Sequence, residues 1–143
     1  MAGRPAAVPA EIFVDTSAWY AMALRRDPAH SSVAGALREH IQRGARVVTT
    51  NLVVAETQAL LLRRTGRGAA LAFVGQVGRP PNLVVYDTPE LDRRAMVDWL
   101  ERYVDQDFSL TDAVSFAVMA ERRITDALTL DSHFATAGFR MVP

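Results

Sequence analysis

Short β-branched and aromatic runs alternate with segments of helical period along almost the whole chain, and that alternation limits the fold more than any other feature. Ile12-Phe13-Val14, Arg46-Val47-Val48-Thr49 and Leu83-Val84-Val85-Tyr86 read as strands, as do Ala127-Leu128-Thr129-Leu130 and a final short Arg140-Met141-Val142. Helices are expected between them. One runs from about Ser17 to Asp27-Pro28, where the residue before proline resists helical geometry. A second covers His30 to Arg43 and is closed by Gly44. A third, Leu52–Arg64, would be capped by Asn51 and stopped by Gly66, and a fourth spans about Gly68–Val77. After the Pro80-Pro81 break, Thr88-Pro89-Glu90 reads as a cap followed by proline at the first helical position. That helix is expected to reach about Val104, with Leu91, Ala95, Trp99 and Tyr103 on one face, and a further helix covers Thr111–Arg122. Strands separated by helices make a parallel sheet covered on both faces. The expectation is a three-layer α/β/α domain over residues 11–143 with a central, mostly parallel sheet. Residues 1–10, with two prolines and an arginine, read as a loose tail.

Composition removes several chemistries. Cysteine is absent, which excludes disulfides, thiolate metal sites and a cysteine nucleophile. All 16 basic residues are arginine, so no P-loop lysine, Schiff-base lysine or receiver-domain lysine exists. A haloacid-dehalogenase-like phosphatase fails on the same ground, and it wants an acid where Ser17 stands. The 16 arginines are balanced by 16 acids. If four acids were gathered in one metal pocket, the rest of the surface would be positive, which suits a polyanionic substrate. No apolar stretch approaches the ~20 residues of a membrane span and no secretory leader is evident, so a cytoplasmic protein with no membrane association is expected.

In open parallel sheets, sites form at the carboxyl ends of strands. Four acids fall there: Asp15 ends the first strand, Glu56 lies early in the helix after the second, Asp112 opens a late helix and Asp131 ends a late strand. Taken singly, three have plain structural readings. Asp15 and Asp131 could cap a helix or turn, and Ser109-Leu110-Thr111-Asp112 matches a capping box. Glu56 shares a helix face with Val53 and Leu60, so it is expected to point toward the core, where it needs an arginine, a shared proton or a metal ion. Together, carboxylates without thiol or histidine help suit Mg²⁺ or Mn²⁺, ions that support phosphodiester hydrolysis. Asp105 and Asp107 are read as a solvated cluster. The arginine clusters at 25–26, 63–67 and 122–123 follow helix C-termini, where the macrodipole already favours them. Trp19, Tyr20, Met22, Trp99 and Tyr103 are divided between core and partner surface in a way sequence does not settle.

The segments Ile12–Trp19, Asn51–Thr57, Leu110–Ala113 and Leu128–Phe134, in this order, resemble the motifs of a PIN domain. Size and the closing Ala137-Gly138-Phe139 make the chain similar to a VapC-type toxin ribonuclease. The resemblance covers nearly everything from Glu11 onward. It implies a Mg²⁺- or Mn²⁺-dependent endoribonuclease, the toxin of a bacterial toxin–antitoxin pair, with RNA as substrate, a cognate antitoxin as partner and a homodimeric state. Asp15, Glu56, Asp112 and Asp131 would be the catalytic, metal-binding set. Thr16 or Ser17, and Thr129, would support the acids, while His133 is read as a loop residue and not a ligand. The rival from another class is a catalytically silent PIN-like binding or assembly module, which loss of an acid would favour; all four are present.

Overall fold

The computed structural model describes residue 3 and residues 9–143, so most of the tail expected over 1–10 lies outside the described residues. Five strands form one sheet: β1 (Glu11–Val14), β2 (Arg46–Thr50), β3 (Asn82–Val85), β4 (Asp126–Leu128) and β5 (Arg140–Val142). Their spatial order is β3-β2-β1-β4-β5 and every pairing is parallel. β1 is therefore central, which is why Ile12, Phe13 and Val14 are apolar without alternation and fully buried. β3 is an edge strand and leaves Leu83 exposed.

Helices α1 (Thr16–Ala23) and α2 (His30–Gln42) join β1 to β2, and α3 (Asn51–Arg64) and α4 (Arg67–Val77) join β2 to β3. The chain then crosses to the other side of β1 through α5 (Pro89–Ala95), a π-helical turn (Met96–Leu100) and α6 (Leu110–Arg122). A single turn, α7 (His133–Thr136), links β4 to β5. Contacts split the helices into two groups: α1 packs on α2 and α3 and α3 on α4, while α5 packs on α6 and α6 on α7. Right-handed crossovers put the groups on opposite faces, giving the expected three layers. Among the described residues no helix is long and apolar enough to cross a membrane.

Several boundaries differ from the sequence reading for physical reasons. Thr50, not Asn51, caps α3, its hydroxyl accepting the Val53 N–H at 3.1 Å. Asn51 is the first helical residue, and its side-chain oxygen accepts the Asp87 N–H at 2.7 Å, tying down the loop after β3. Helix α5 stops at Ala95 instead of running to Val104. A Glu101 N–H to Met96 carbonyl bond of 2.8 Å opens the wider turn, after which Trp99 and Tyr103 still meet Phe116 and Phe108. Gly44 and Gly66, at φ 89° and 118°, follow α2 and α3 as expected. Trp19 is buried with its indole N–H on the Thr49 hydroxyl, whereas Tyr20, Met22, Trp99 and Tyr103 are half-buried against the core. The core centres on Phe116 of α6, whose ring meets Phe108, Phe134 and Phe139 with centroids 5.0–5.7 Å apart.

Candidate active site

β1 sits where the strand order reverses, so the carboxyl ends of β1 and β4 open a crevice between diverging connections. Asp15 follows β1 directly and is buried, with 5% of its surface accessible. It occupies the position before α1, yet its side chain makes no capping bond there. Instead Oδ2 accepts the Ser17 hydroxyl at 3.1 Å and the Thr129 hydroxyl at 2.9 Å. The structural alternative for this aspartate is thereby answered: the backbone caps nothing through it, and two hydroxyls hold it still.

Ser17 and Thr129 also lock the strand ends together. The Leu130 N–H donates to Ser17 Oγ at 2.9 Å and the Asp131 N–H to Thr129 Oγ1 at 3.0 Å. Of the two hydroxyls expected near Asp15, Ser17 does the supporting, while the buried Thr16 hydroxyl has no hydrogen-bond partner among the described residues. β4 ends at Leu128, so Asp131 lies in the loop beyond the strand and not at its last residue. Its Oδ1 accepts the His133 N–H at 2.9 Å, which makes the expected turn and starts α7.

Asp112 is in the capping box that its sequence context announced. Its N–H donates to Ser109 Oγ at 3.0 Å, and its Oδ2 accepts the Ser109 N–H at 3.2 Å. Asp112 and Asp131 share one design: one oxygen of each (Asp112 Oδ2, Asp131 Oδ1) takes hydrogen bonds from its own support, and none to the other is found among the described residues. Asp15 is held more fully, by two hydroxyls on Oδ2 and by the Thr16 backbone.

Glu56 departs from expectation. The buried stripe of α3 is Val53, Thr57 and Leu61, a quarter-turn away, and Glu56 is exposed instead of core-facing. α3 nevertheless meets α6, and there the Glu56 carboxyl is shifted upward by desolvation, aided by the Asp112 and Asp131 charges and opposed by a Thr111 hydrogen bond. It stands at the rim of the same cleft. Asp15 is pushed up to about 6, chiefly by burial and further by the Asp112 charge, against hydrogen bonds from Thr129, the Thr16 backbone and Ser17.

Among the described residues, no arginine reaches any of these four acids. Acids elsewhere are answered: Arg122 grips Glu11 with two bonds of 3.0 and 2.8 Å, and Arg140 grips Asp126 with bonds of 2.9 and 2.6 Å. Arg25-Arg26 follow α1 and Arg63-Arg64 end α3, at the far ends of helices that begin at the carboxyl edge, so they stand away from the cleft. Asp105 and Asp107 are exposed, as expected.

Such a site fits a cation. Asp112, Asp131 and His133 each offer a ligand atom, all within 4.8 Å of one another. Two carboxylates that close repel by about 3 kcal/mol at an effective dielectric of ~20. An oxygen-rich set with unengaged lone pairs and no cationic side chain is relieved by a hard divalent ion. His133, read from sequence as a loop residue and not a ligand, is instead the first residue of α7. Its signal was weak, a lone histidine 21 positions from Asp112, and only the fold brings the two to 3.3 Å.

An all-parallel sheet with carboxylates converging at its switch point defines the class: an α/β domain with a candidate cation site. The chain belongs to the PIN domain family, whose model matches residues 12–140. The 23S rRNA-specific endonuclease VapC20 of Mycobacterium tuberculosis is 38% identical over 128 residues, spanning 90% of this chain and 95% of that protein, in strains CDC 1551 / Oshkosh and ATCC 25618 / H37Rv. The crystal structure of Mycobacterium tuberculosis VapC20, described as a sarcin–ricin loop cleaving toxin, matches with a TM-score of 0.82 at 37% identity. That match covers 92% of this chain and 99% of the VapC20 chain. The resemblance to VapC-type toxins carried by the four acidic motifs therefore holds at the level of whole sequence and fold.

Proposed function

We propose that the chain is a Mg²⁺- or Mn²⁺-dependent endoribonuclease, the toxin of a toxin–antitoxin pair, and that it cuts ribosomal RNA. The observation that carries this reading is the convergence of Asp15, Asp112 and Asp131, held by Ser17, Thr129, Ser109 and the His133 N–H, at a sheet edge that no arginine among the described residues reaches. Asp15, Asp112 and Asp131 would hold the ion, with Glu56 at the rim. A divalent ion bound there supplies Lewis acidity that lowers the pKa of water and offsets charge on the phosphodiester transition state. The chain's own residues do the positioning. Ser17 and Thr129 fix Asp15 and, through the backbone of 130–131, the start of the loop bearing Asp131. Ser109 fixes Asp112, and Glu56 adds a fourth carboxyl at the rim of the same cleft. No protein nucleophile is required, because orientation and charge stabilisation supply the rate.

The ribosomal substrate is inferred from VapC20, whose name states that activity and whose length this chain almost wholly matches. A cognate antitoxin, a homodimer and a cytoplasmic setting belong to the same reading. An apolar groove of about 470 Å³ between α1, α2 and α4, lined by Trp19, Met22, Leu37, Ile41 and Phe73, offers such a protein partner a surface. The test is inducible expression in bacteria of the wild type and Asp15→Asn, with sequencing of new 5′-phosphate RNA ends. Growth arrest with discrete cuts from the wild type alone is expected. Soluble wild-type protein, free of antitoxin, that makes no cuts would instead favour a catalytically silent binding module.

A further inference from the structure

We propose that Arg25, Arg26, Arg63, Arg64 and Arg67 form a second contact surface, which grips the phosphate backbone of the RNA beyond the acidic cleft. The inference rests on the reading of RNA as substrate and deepens it, since it concerns where the polyanion is held and not how it is cut. Arg25 and Arg26 lie in the turn after α1, Arg63 and Arg64 end α3, and Arg67 opens α4. The two stretches face each other: Arg25, Arg26 and Asp27 line a cavity of about 550 Å³ together with Thr65 and Ala69. The Arg64 guanidinium lies over the Tyr20 ring of α1, 5.8 Å from its centroid.

All five side chains are exposed, and among the described residues none pairs with a carboxylate, whereas Arg43, Arg46, Arg93, Arg94, Arg122 and Arg140 each do. Asp27, the acid among them, has Oδ1 engaged by the Ala29 N–H at 2.8 Å. The helix dipole accounts for Arg63 and Arg64, in the last turn of α3. It does not account for Arg25 and Arg26, beyond the last turn of α1, and it opposes Arg67 at the positive end of α4. Like charges gathered without acids repel, and an anion between them relieves the repulsion. Arginine suits phosphate, because its planar fork takes two oxygens at once. The cleft favours RNA over an acidic protein as the occupant: it is built from carboxylates that no arginine among the described residues reaches, so it offers the flanking phosphates no cationic side chain. Glu56 at its rim and Arg63 stand at i and i+7 of α3, both exposed on one face and about 10 Å apart along the axis. A backbone leaving the cleft over Glu56 therefore meets Arg63 two turns on, and then the rest of the cluster.

Equilibrium binding to 23S rRNA over a range of KCl concentrations tests this, with full-length protein carrying Asp112→Asn so that the RNA stays whole. Arg25→Gln/Arg67→Gln removes two charges from the cluster. Arg38→Gln/Arg79→Gln removes two exposed, unpaired arginines from outside it and serves as the charge-matched control. The first pair is expected to lose about tenfold in affinity at roughly 0.1 M KCl and to flatten the slope of log affinity against log salt by about two. The control pair is expected to keep the parent slope, and neither pair to lower Tm. In the wild-type background, Arg25→Gln/Arg67→Gln should raise KM for cleavage with kcat unchanged. Parental affinity and slope in that pair would overturn the proposal, as would an equal loss in the control pair. Unchanged RNA binding with weakened binding of polyglutamate would assign the cluster to an acidic protein and overturn it too. The nuclease reading is judged separately: a wild type that makes no cut would refute it, while the binding comparison would still decide the cluster.

Discussion

Asp15→Asn should make the protein more stable while removing its activity. Burial lifts the Asp15 carboxyl from its ordinary 3.8 to about 6, so above that pH the native state holds a charge that the unfolded chain accommodates more easily. A shift of about two units, at about 1.4 kcal/mol each, sets an upper bound near 3 kcal/mol on what ionised Asp15 costs the fold. Asparagine keeps an oxygen to accept the Ser17 and Thr129 hydroxyls, and its amide faces the Asp112 charge that now opposes Asp15. A gain of about 1–3 kcal/mol in metal-free protein corresponds to roughly 3–10 °C in Tm for a domain of this size. The sign follows from linkage. The native pKa is raised, so the native state binds more protons than the unfolded state between about 4 and 6, and wild-type stability falls as pH rises through that window. The variant lacks this dependence. Thermal melts in chelator at about pH 7.5 and about pH 4.5 should show a large gap at the higher pH and a small one at the lower. An unchanged or lowered Tm at the higher pH, or a gap that widens on acidification, would refute the burial argument.

Four further outcomes follow from the same contacts. Ser109→Ala removes a helix cap and one support of Asp112, so it should lose about 1 kcal/mol by urea denaturation and also weaken Mn²⁺ binding; a loss of stability alone would uncouple the cap from the site. Glu11→Gln breaks the two-bond Arg122 contact and the 3.1 Å Arg46 contact at the opposite sheet edge. It should destabilise by about 1–3 kcal/mol with RNA cleavage by folded protein unchanged. Because arginine partners hold Glu11 and Asp126 below their ordinary values, their stabilisation is complete above about pH 4.5 and is lost as pH falls through their lowered native values. Chelator-treated wild type should therefore lose stability in that acid range, and Glu11→Gln should lose less of it. Phe116→Ala empties the centre of the aromatic cluster beneath α6 and should cost about 3–5 kcal/mol in chemical denaturation.

Much of the fold was legible because the strands are buried on both faces. Runs such as Ile12-Phe13-Val14 carry no alternation that a helix or an exposed strand would impose, and glycines closed the helices on schedule. The positions of Asp15 and Asp131 were legible because each follows a strand that ends at the switch-point edge, and that of Asp112 because Ser109-Leu110-Thr111-Asp112 marks the start of α6. Glu56 shows the limit of helical arithmetic. Val53 and Leu60 flank it at plausible spacing, but α3 turns its Val53–Thr57–Leu61 stripe inward and leaves Glu56 outside. The π turn at Met96–Leu100 breaks a pattern that Leu91, Ala95, Trp99 and Tyr103 would otherwise continue, and nothing local marks it. The setting of His133 was out of reach because a four-residue helix makes barely one turn, too little for a repeating pattern to show. Its partners are fixed by tertiary contact, not by spacing. Thr50 and Asn51 are both good capping residues, and which one caps depended on Asn51 being claimed by the loop after β3.

In the proposed reaction, carboxylates at the β1–β4 edge hold a divalent ion for the cleavage of ribosomal RNA. This is tested most directly by incubating purified protein with bacterial ribosomes in Mg²⁺ or Mn²⁺, with and without chelator, and mapping the ends produced. The expected result is a discrete cut in 23S rRNA that leaves a 5′-phosphate, disappears with chelator and is lost in Asp112→Asn. The same cut made in chelator, or made undiminished by Asp112→Asn, would contradict it.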